Sequence, residues 1–232
     1  MFIGHFGVAF AAKKVAPETS LGTLILAAQL LDFLWPFFLL LGIEHVRIAP
    51  GITRVSPLDF TDYPISHSLV AAIVWGVVAA ALYYSWPTRD TTRHWQAAAI
   101  VGLAVFSHYP LDVLVHVPDL PIAGNDSPKL GLGLWNQPTA TLIAELLVFG
   151  IGLAFYLTLK SHRHPVRVFR LAILVVVLVG TYLASSYGPL PPSMTVIAVS
   201  DIVFLVAVAA LAAWADRRAT PQELEAQRLS AR

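Results

Sequence analysis

Six stretches of this sequence, at about residues 21–43, 68–86, 95–116, 139–159, 168–187 and 195–215, are apolar over the length of a bilayer crossing. A spanning helix needs roughly 20 mostly apolar residues, because the hydrocarbon core is about 30 Å thick and a helix rises about 1.5 Å per residue. Inside lipid every backbone N–H and C=O must be satisfied within the protein, so runs of this kind are read as helices. Residues 2–12 form a seventh apolar piece, long enough for only half a bilayer, and are expected as a half-inserted or re-entrant helix. Hydrophobic residues make up 57% of the chain and charged residues 12%, well away from the balance of a soluble domain. The expected fold is therefore all-α, a polytopic membrane helical bundle of about six transmembrane helices plus the short N-terminal one. No internal repeat or linker divides it: residues 1–216 read as one transmembrane domain carrying a metal site, and residues 217–232 as a charged tail.

The positions of Lys and Arg set the orientation. Lys13 and Lys14, Arg89 and Arg93, Lys160 with Arg163 and Arg167, and Arg217 with Arg218 all fall on one side if six helices alternate. That side is read as the cytoplasm, which puts the C-terminus inside and the long loops 44–66 and 117–138 outside; Arg47 and Arg54 run against the pattern. The stretch "MFIGHFGVAFAAKK" has the small residues of a leader but no basic residues before its apolar run, so it is read as retained. Trp35-Pro36 and Pro110 lie inside spans and are expected to kink them. The net charge is +1 and no basic tract is present, which gives no reason to expect nucleic acid. Cysteine is absent, so a metal would have to be held by His and carboxylate.

The functional signal lies in ionisable residues inside the apolar runs. Counted from the cytoplasmic end of each helix, His5 sits at about 12 Å, Asp32 at about 16 Å, His108 at about 20 Å, Glu145 and Asp201 at about 21 Å, Asp112 at about 26 Å and His67 at about 28 Å. Residues scattered along the chain thus gather in one layer. Each costs about 2.5–3.5 kcal/mol at the centre of a span unless partnered. A divalent cation answers that cost for the whole group, since it holds carboxylates ionised beside neutral imidazoles.

The segment "SHYPLDVLVH" concentrates the signal. Positions i, i+4 and i+8 of a helix form one stripe, so His108, Asp112 and His116 are expected to project to one side, with Pro110 disturbing the turn between them. The expected ligands are His5, Asp32, His67, His108, Asp112, His116 and Glu145, with Asp112 and Glu145 as the catalytic carboxylates. Asp201 has no ligand-like neighbour in sequence and reads as a supporting or helix-packing residue. Asp59 and Asp62 read as turn or rim groups, and His45, His94, His162 and His164 as solvated. Tyr83, Tyr84, Trp86, Trp95 and Trp214 form an interfacial aromatic belt. "GLGLW" has no Lys-Ser/Thr after it and is read as a turn packed at the mouth of the site, not as a phosphate loop.

"GHFGVAFAAKK", "QLLDFLWP", "ISHSLVAA", "SHYPLDVLVH" and "GLGLWNQPTATLIAELLVF", in that order, resemble the YdjM family of LexA-regulated bacterial inner-membrane proteins, described as metal-dependent hydrolases. The resemblance extends to about residue 160. The order of ligands is also similar to the zinc-dependent phospholipase C and P1-type nuclease group. Its pattern of His, Asp, His, H-x-x-x-D and H-x-x-x-E matches His5, Asp32, His67, His108 with Asp112, and Glu145. Thr141 stands where the last motif has His, which argues for one or two ions in place of three. The resemblance implies a divalent metal, zinc first with manganese or magnesium as alternatives, and a hydrolase acting on phosphoesters.

The leading expectation is a membrane-embedded hydrolase of a lipid-like phosphoester in the bacterial inner membrane, in which a metal polarises a phosphoryl oxygen and lowers the pKa of a bound water. Two other classes stay open: a cation or proton transporter with a buried His/Asp relay, and a structural or regulatory membrane protein whose metal bridges helices. The lipid bilayer is the one partner the sequence names; it says nothing of oligomeric state.

Overall fold

A computed structural model of the protein describes residues 1–87, 93–159 and 165–217. Among the described residues the α-helices are α1 (Ile3–Val15), α2 (Leu21–Ala28), α3 (Leu30–Leu40), α4 (Pro64–His67), α5 (Leu69–Ser85), α6 (His94–Phe106), α7 (His108–Val115), α8 (Pro138–Leu157), α9 (Pro165–Tyr187) and α10 (Met194–Asp216). The long loops hold two antiparallel ribbons, β1 (His45–Ile48) with β2 (Leu58–Asp62) and β3 (Leu120–Pro121) with β4 (Lys129–Leu130). The strands answer the cost of burying loop backbone against the site, and they occupy segments expected only as loops. Arg89, Lys160, His162, Arg163, His164, Arg218 and the rest of the tail lie outside the described residues.

Among the described residues, four helices are long and apolar enough to cross a membrane: His94–Val115 as one span, α8, α9 and α10. The bent pair α2–α3 makes a fifth if it counts as one span. The expected span at 68–86 is the 17-residue helix α5, apolar along its length but about 26 Å long, short of a full hydrocarbon core.

The break in the first span is not where the proline is. α2 and α3 meet at 58° around Gln29, whose φ of −104° and ψ of 13° interrupt the helix. Pro36 stays inside α3. In the third span α6 ends at Phe106, whose carbonyl Pro110 cannot donate to, yet α6 and α7 run on as one span, His94–Val115.

Small residues set the closest helix contacts. A Cβ on Gly152 of α8 would lie 1.9 Å from the Gly7 carbonyl oxygen of α1. Between α5 and α6, a Cβ on Gly76 would lie 2.9 Å from the Gly102 oxygen. Helix association in lipid depends on such close approach, because apolar side chains gain little by leaving lipid for protein. As a result α1, expected to dip only halfway into the bilayer, is sunk between other helices, with Ile3, His5, Phe6 and Phe10 fully buried.

One end of the bundle collects the charges that the sequence assigns to the cytoplasm. Lys13, expected as a loop charge, is buried there and donates to Asp216 Oδ2 at 2.5 Å and to the Thr19 carbonyl at 2.7 Å. Arg167 also donates to Asp216 Oδ1 at 3.1 Å. The β-ribbons and His116 lie at the opposite end of the helices.

Candidate metal centre

Five of the expected ligands meet, brought by four pieces of backbone, α1, α3, α4 and α7. Asp112 stands at the centre. His5 Nε2 from α1 lies 3.1 Å from its Oδ1, and His108 Nε2, one turn earlier on α7, lies 3.1 Å from its Oδ2. The amino group of Met1 also donates to Oδ1. Asp32, carried inward by the part of the first span beyond the Gln29 bend, places Oδ1 3.2 Å from His67 Nε2 and 3.5 Å from His108 Nε2. His67 Nε2 is 4.0 Å from Asp112 Oδ2. Two sets of donor atoms, from His5, Asp32 and His108 and from His67, His108 and Asp112, each lie within 4.8 Å of one another.

The ring orientations are set from behind. His108 Nδ1 donates to the Ala28 carbonyl at the α2–α3 bend, over 2.9 Å. A carbonyl can only accept, so Nδ1 carries a proton and the ring turns Nε2 toward two carboxylates. His67 repeats the arrangement through a relay. Glu44 Oε2 accepts from Ser66 Oγ at 2.6 Å, which leaves that oxygen free to accept from His67 Nδ1 at 2.7 Å. Glu44 Oε1 accepts in addition the backbone N–H groups of Ile65 and Ser66, both at 2.8 Å, and so pins α4. Burial raises the Glu44 carboxyl above its ordinary range, against the opposing pull of these hydrogen bonds.

An imidazole nitrogen facing two carboxylate oxygens calls for something positive between them, a proton or a metal ion. His108 Nε2 is buried without a hydrogen bond, although two carboxylate oxygens stand within 3.5 Å, and His5 Nδ1 is also buried without a partner. The His5 and His108 rings stack face to face, centroids 3.7 Å apart and planes within 4°, an arrangement suited to neutral imidazoles. The donor set of imidazole nitrogens and carboxylate oxygens is that of zinc or a first-row relative. On chemistry and on orphaned atoms, the residues present fit a divalent cation.

Glu145 and His116 stand apart from these two donor sets. Glu145 takes the first turn of α1: its Oε1 accepts from Phe2 N at 2.7 Å and its Oε2 from Gly4 N at 2.8 Å. It thereby satisfies N–H groups that a buried helix start would leave orphaned. His116 does not continue the stripe of His108 and Asp112. It is the C-cap of α7, with ψ of 149°, and its Nδ1 pairs with Asp119 Oδ1 at 3.0 Å. Asp59 and Asp62 pair with Arg47 and His45 on the β1–β2 ribbon, and His94 bonds the Tyr84 carbonyl near the charged end.

A cavity of about 450 Å³ adjoins the cluster. Asp32, His67, Asp112 and His116 line its polar part. Tyr182 of α9 and Ile197, Phe204 and Leu205 of α10 line an apolar part, toward the ends of those helices remote from Asp216. Asp201 shares this wall.

The sequence reading missed Glu44 and Ser66. Glu44 is a lone acid just beyond an apolar run, 1% exposed, and the Ser before His67 is the visible half of its relay. Comparison of the chain with protein-family models, curated proteins and solved structures finds no match.

Proposed function

We propose that this protein is a membrane-embedded metal-dependent hydrolase acting on phosphoesters of amphiphilic, lipid-like substrates. The observation that carries the reading is the Nε2 of His108, buried, without a hydrogen bond and faced by the carboxylates of Asp32 and Asp112. The proposal includes six spans, with α5 as a short one, and a bacterial inner-membrane location with the C-terminus in the cytoplasm. Kinship with the YdjM-like proteins belongs to it too, on the motifs quoted above.

His5, Asp32, His67, His108 and Asp112 would hold one or two ions, with zinc favoured over manganese or magnesium by the number of imidazoles. Bound there, such an ion supplies Lewis acidity toward a phosphoryl oxygen and eases deprotonation of water. The chain's own groups do the rest. Ala28 and the Glu44–Ser66 pair fix the imidazole tautomers, Asp32 and Asp112 supply the negative charge, and Glu145 holds α1 so that His5 stays in place. The apolar wall from α9 and α10 suits an acyl chain beside a headgroup at the cluster, as an amphiphile requires.

The deciding experiment takes protein purified in detergent, measures bound metal, and assays release of phosphate or alcohol from lipid phosphoesters in mixed micelles. The expected outcome is near-stoichiometric zinc and a hydrolysis lost in Asp112→Asn at unchanged helicity. Metal-free protein with full helicity, or activity indifferent to Asp112, would end the reading.

A further inference from the structure

The His116 side chain is a histidine that the donor cluster does not use, and its surroundings are built with care. Its backbone is held on both sides, its N–H by the Asp112 carbonyl at 2.9 Å and its C=O by the N–H of Gly133 at 2.6 Å. Gly131 lies against the same backbone so closely that a Cβ there would sit 2.6 Å from the His116 oxygen. "GLGLW" thus lies along the end of α7, against Val113, His116 and Val117. The imidazole is packed by Trp135 at 4.0 Å and Phe60 at 5.0 Å between ring centroids.

Its two nitrogens are in different situations. Nδ1 faces Asp119 Oδ1 at 3.0 Å, and the Tyr63 hydroxyl donates to the same oxygen at 3.0 Å. Burial, with Asp119 beside it, raises the Tyr63 phenol well above its ordinary range, so it remains a donor and Asp119 an acceptor. Nδ1 therefore carries the proton, and the lone pair belongs to Nε2. His116 lines the cavity that Asp32, His67 and Asp112 also line, and the Tyr63 ring sits between His116 (6.3 Å) and His67 (5.4 Å).

We propose that His116, oriented by Asp119 and Tyr63, is the general base of this site, not a metal ligand. The role rests on the hydrolase reading above and deepens it. A carboxylate on Nδ1 fixes the tautomer, strengthens Nε2 as an acceptor and stabilises the imidazolium once formed. In the step, the water oxygen forms a bond to phosphorus while one of its protons passes to Nε2. The bond from phosphorus to the ester oxygen breaks, and the leaving alkoxide takes a proton from cavity water. The imidazolium then returns its proton to solvent, and the second proton of the attacking water stays on the product phosphate. Asp112 and Glu145, expected as catalytic carboxylates, are left to the cluster and to α1.

The test compares zinc-loaded wild type with His116→Gln, Asp119→Asn and Tyr63→Phe. It uses phosphatidic acid and phosphatidylglycerol in mixed micelles and reads zinc content, kcat and KM. His116→Gln is expected to keep its zinc and its KM and to lose about 10²–10⁴-fold in kcat. Asp119→Asn is expected to lower kcat about tenfold or more with zinc retained. Loss of zinc in His116→Gln would make His116 a ligand and overturn the proposal. Unchanged kcat, or a lowered kcat matched by a raised KM, would overturn it as well. If zinc-loaded wild type hydrolyses neither lipid, the hydrolase reading falls and takes this role with it; if wild type and His116→Gln are equally active, only this role falls.

Discussion

His108 Nε2 and Asp112 Oδ2 lie 3.1 Å apart, one helical turn from each other, and no hydrogen bond joins them. The His108 proton is spent on Ala28, on the far side of the ring. An imidazole nitrogen and a carboxylate oxygen held at this distance by one helix call for a positive charge between them, and whether that charge is a metal ion is where the predictions begin.

His108→Ala is expected to abolish stoichiometric metal binding, read by elemental analysis of protein purified beside wild type. Equal metal in the two would show that the cluster is not the binding site.

Glu44 acts only through Ser66 and His67, so its effect should appear in affinity and not in site occupancy at saturating metal. Glu44→Ala and Ser66→Ala are each expected to weaken zinc binding about 10–100-fold, measured by competition with a chromophoric chelator. Unchanged affinity would reduce the pair to a cap on α4.

At the α1–α8 contact there is no room for a side chain. Gly152→Leu is expected to push α1 off α8, costing about 1–3 kcal/mol of stability and displacing His5 from Asp112. Thermal denaturation in detergent together with metal content checks both halves; a stable variant with full metal content would mean that α1 is not held by this contact.

Asp216 answers two buried cations at the other end of the bundle, Lys13 and Arg167. Asp216→Ala is expected to cost about 3–5 kcal/mol because it leaves buried charge less compensated. Metal affinity should not change, since the pair lies at the end remote from the cavity. A fall in affinity without a fall in stability would reveal coupling between the ends.

Reconstituted in liposomes, the protein is expected to pass no protons above an empty-vesicle background, with or without zinc. A proton flux lost in His108→Ala would put the buried relay of a transporter in place of the hydrolase.

How much was legible in the sequence differs between residues. Asp32, His67, His108 and Asp112 announced themselves because an ionisable group in an apolar run is costly and needs a reason. His5 was visible on the same ground, although its helix lies deeper within the protein than its length suggested. The bend at Gln29 was not legible: one glutamine among alanines and leucines is a weak signal, and Pro36 a stronger but misleading one. His116 was placed on a stripe with His108 and Asp112 by helical spacing, and the spacing failed because α7 ends there. Lys13 was counted with the loop charges, since a sequence does not show that Asp216, 203 residues away, will take it up.

The sequence by itself determined that the chain is a helical membrane protein and which polar residues are embedded in it, because bilayer thickness and the cost of buried charge act on each segment independently of its neighbours. The tertiary structure alone decided which of those residues share a centre, which way each imidazole turns, and that Glu44 and Ser66 stand behind one of them. These depend on distances between backbones brought together by glycine contacts, a helix bend and a cap, and no single segment carries that information.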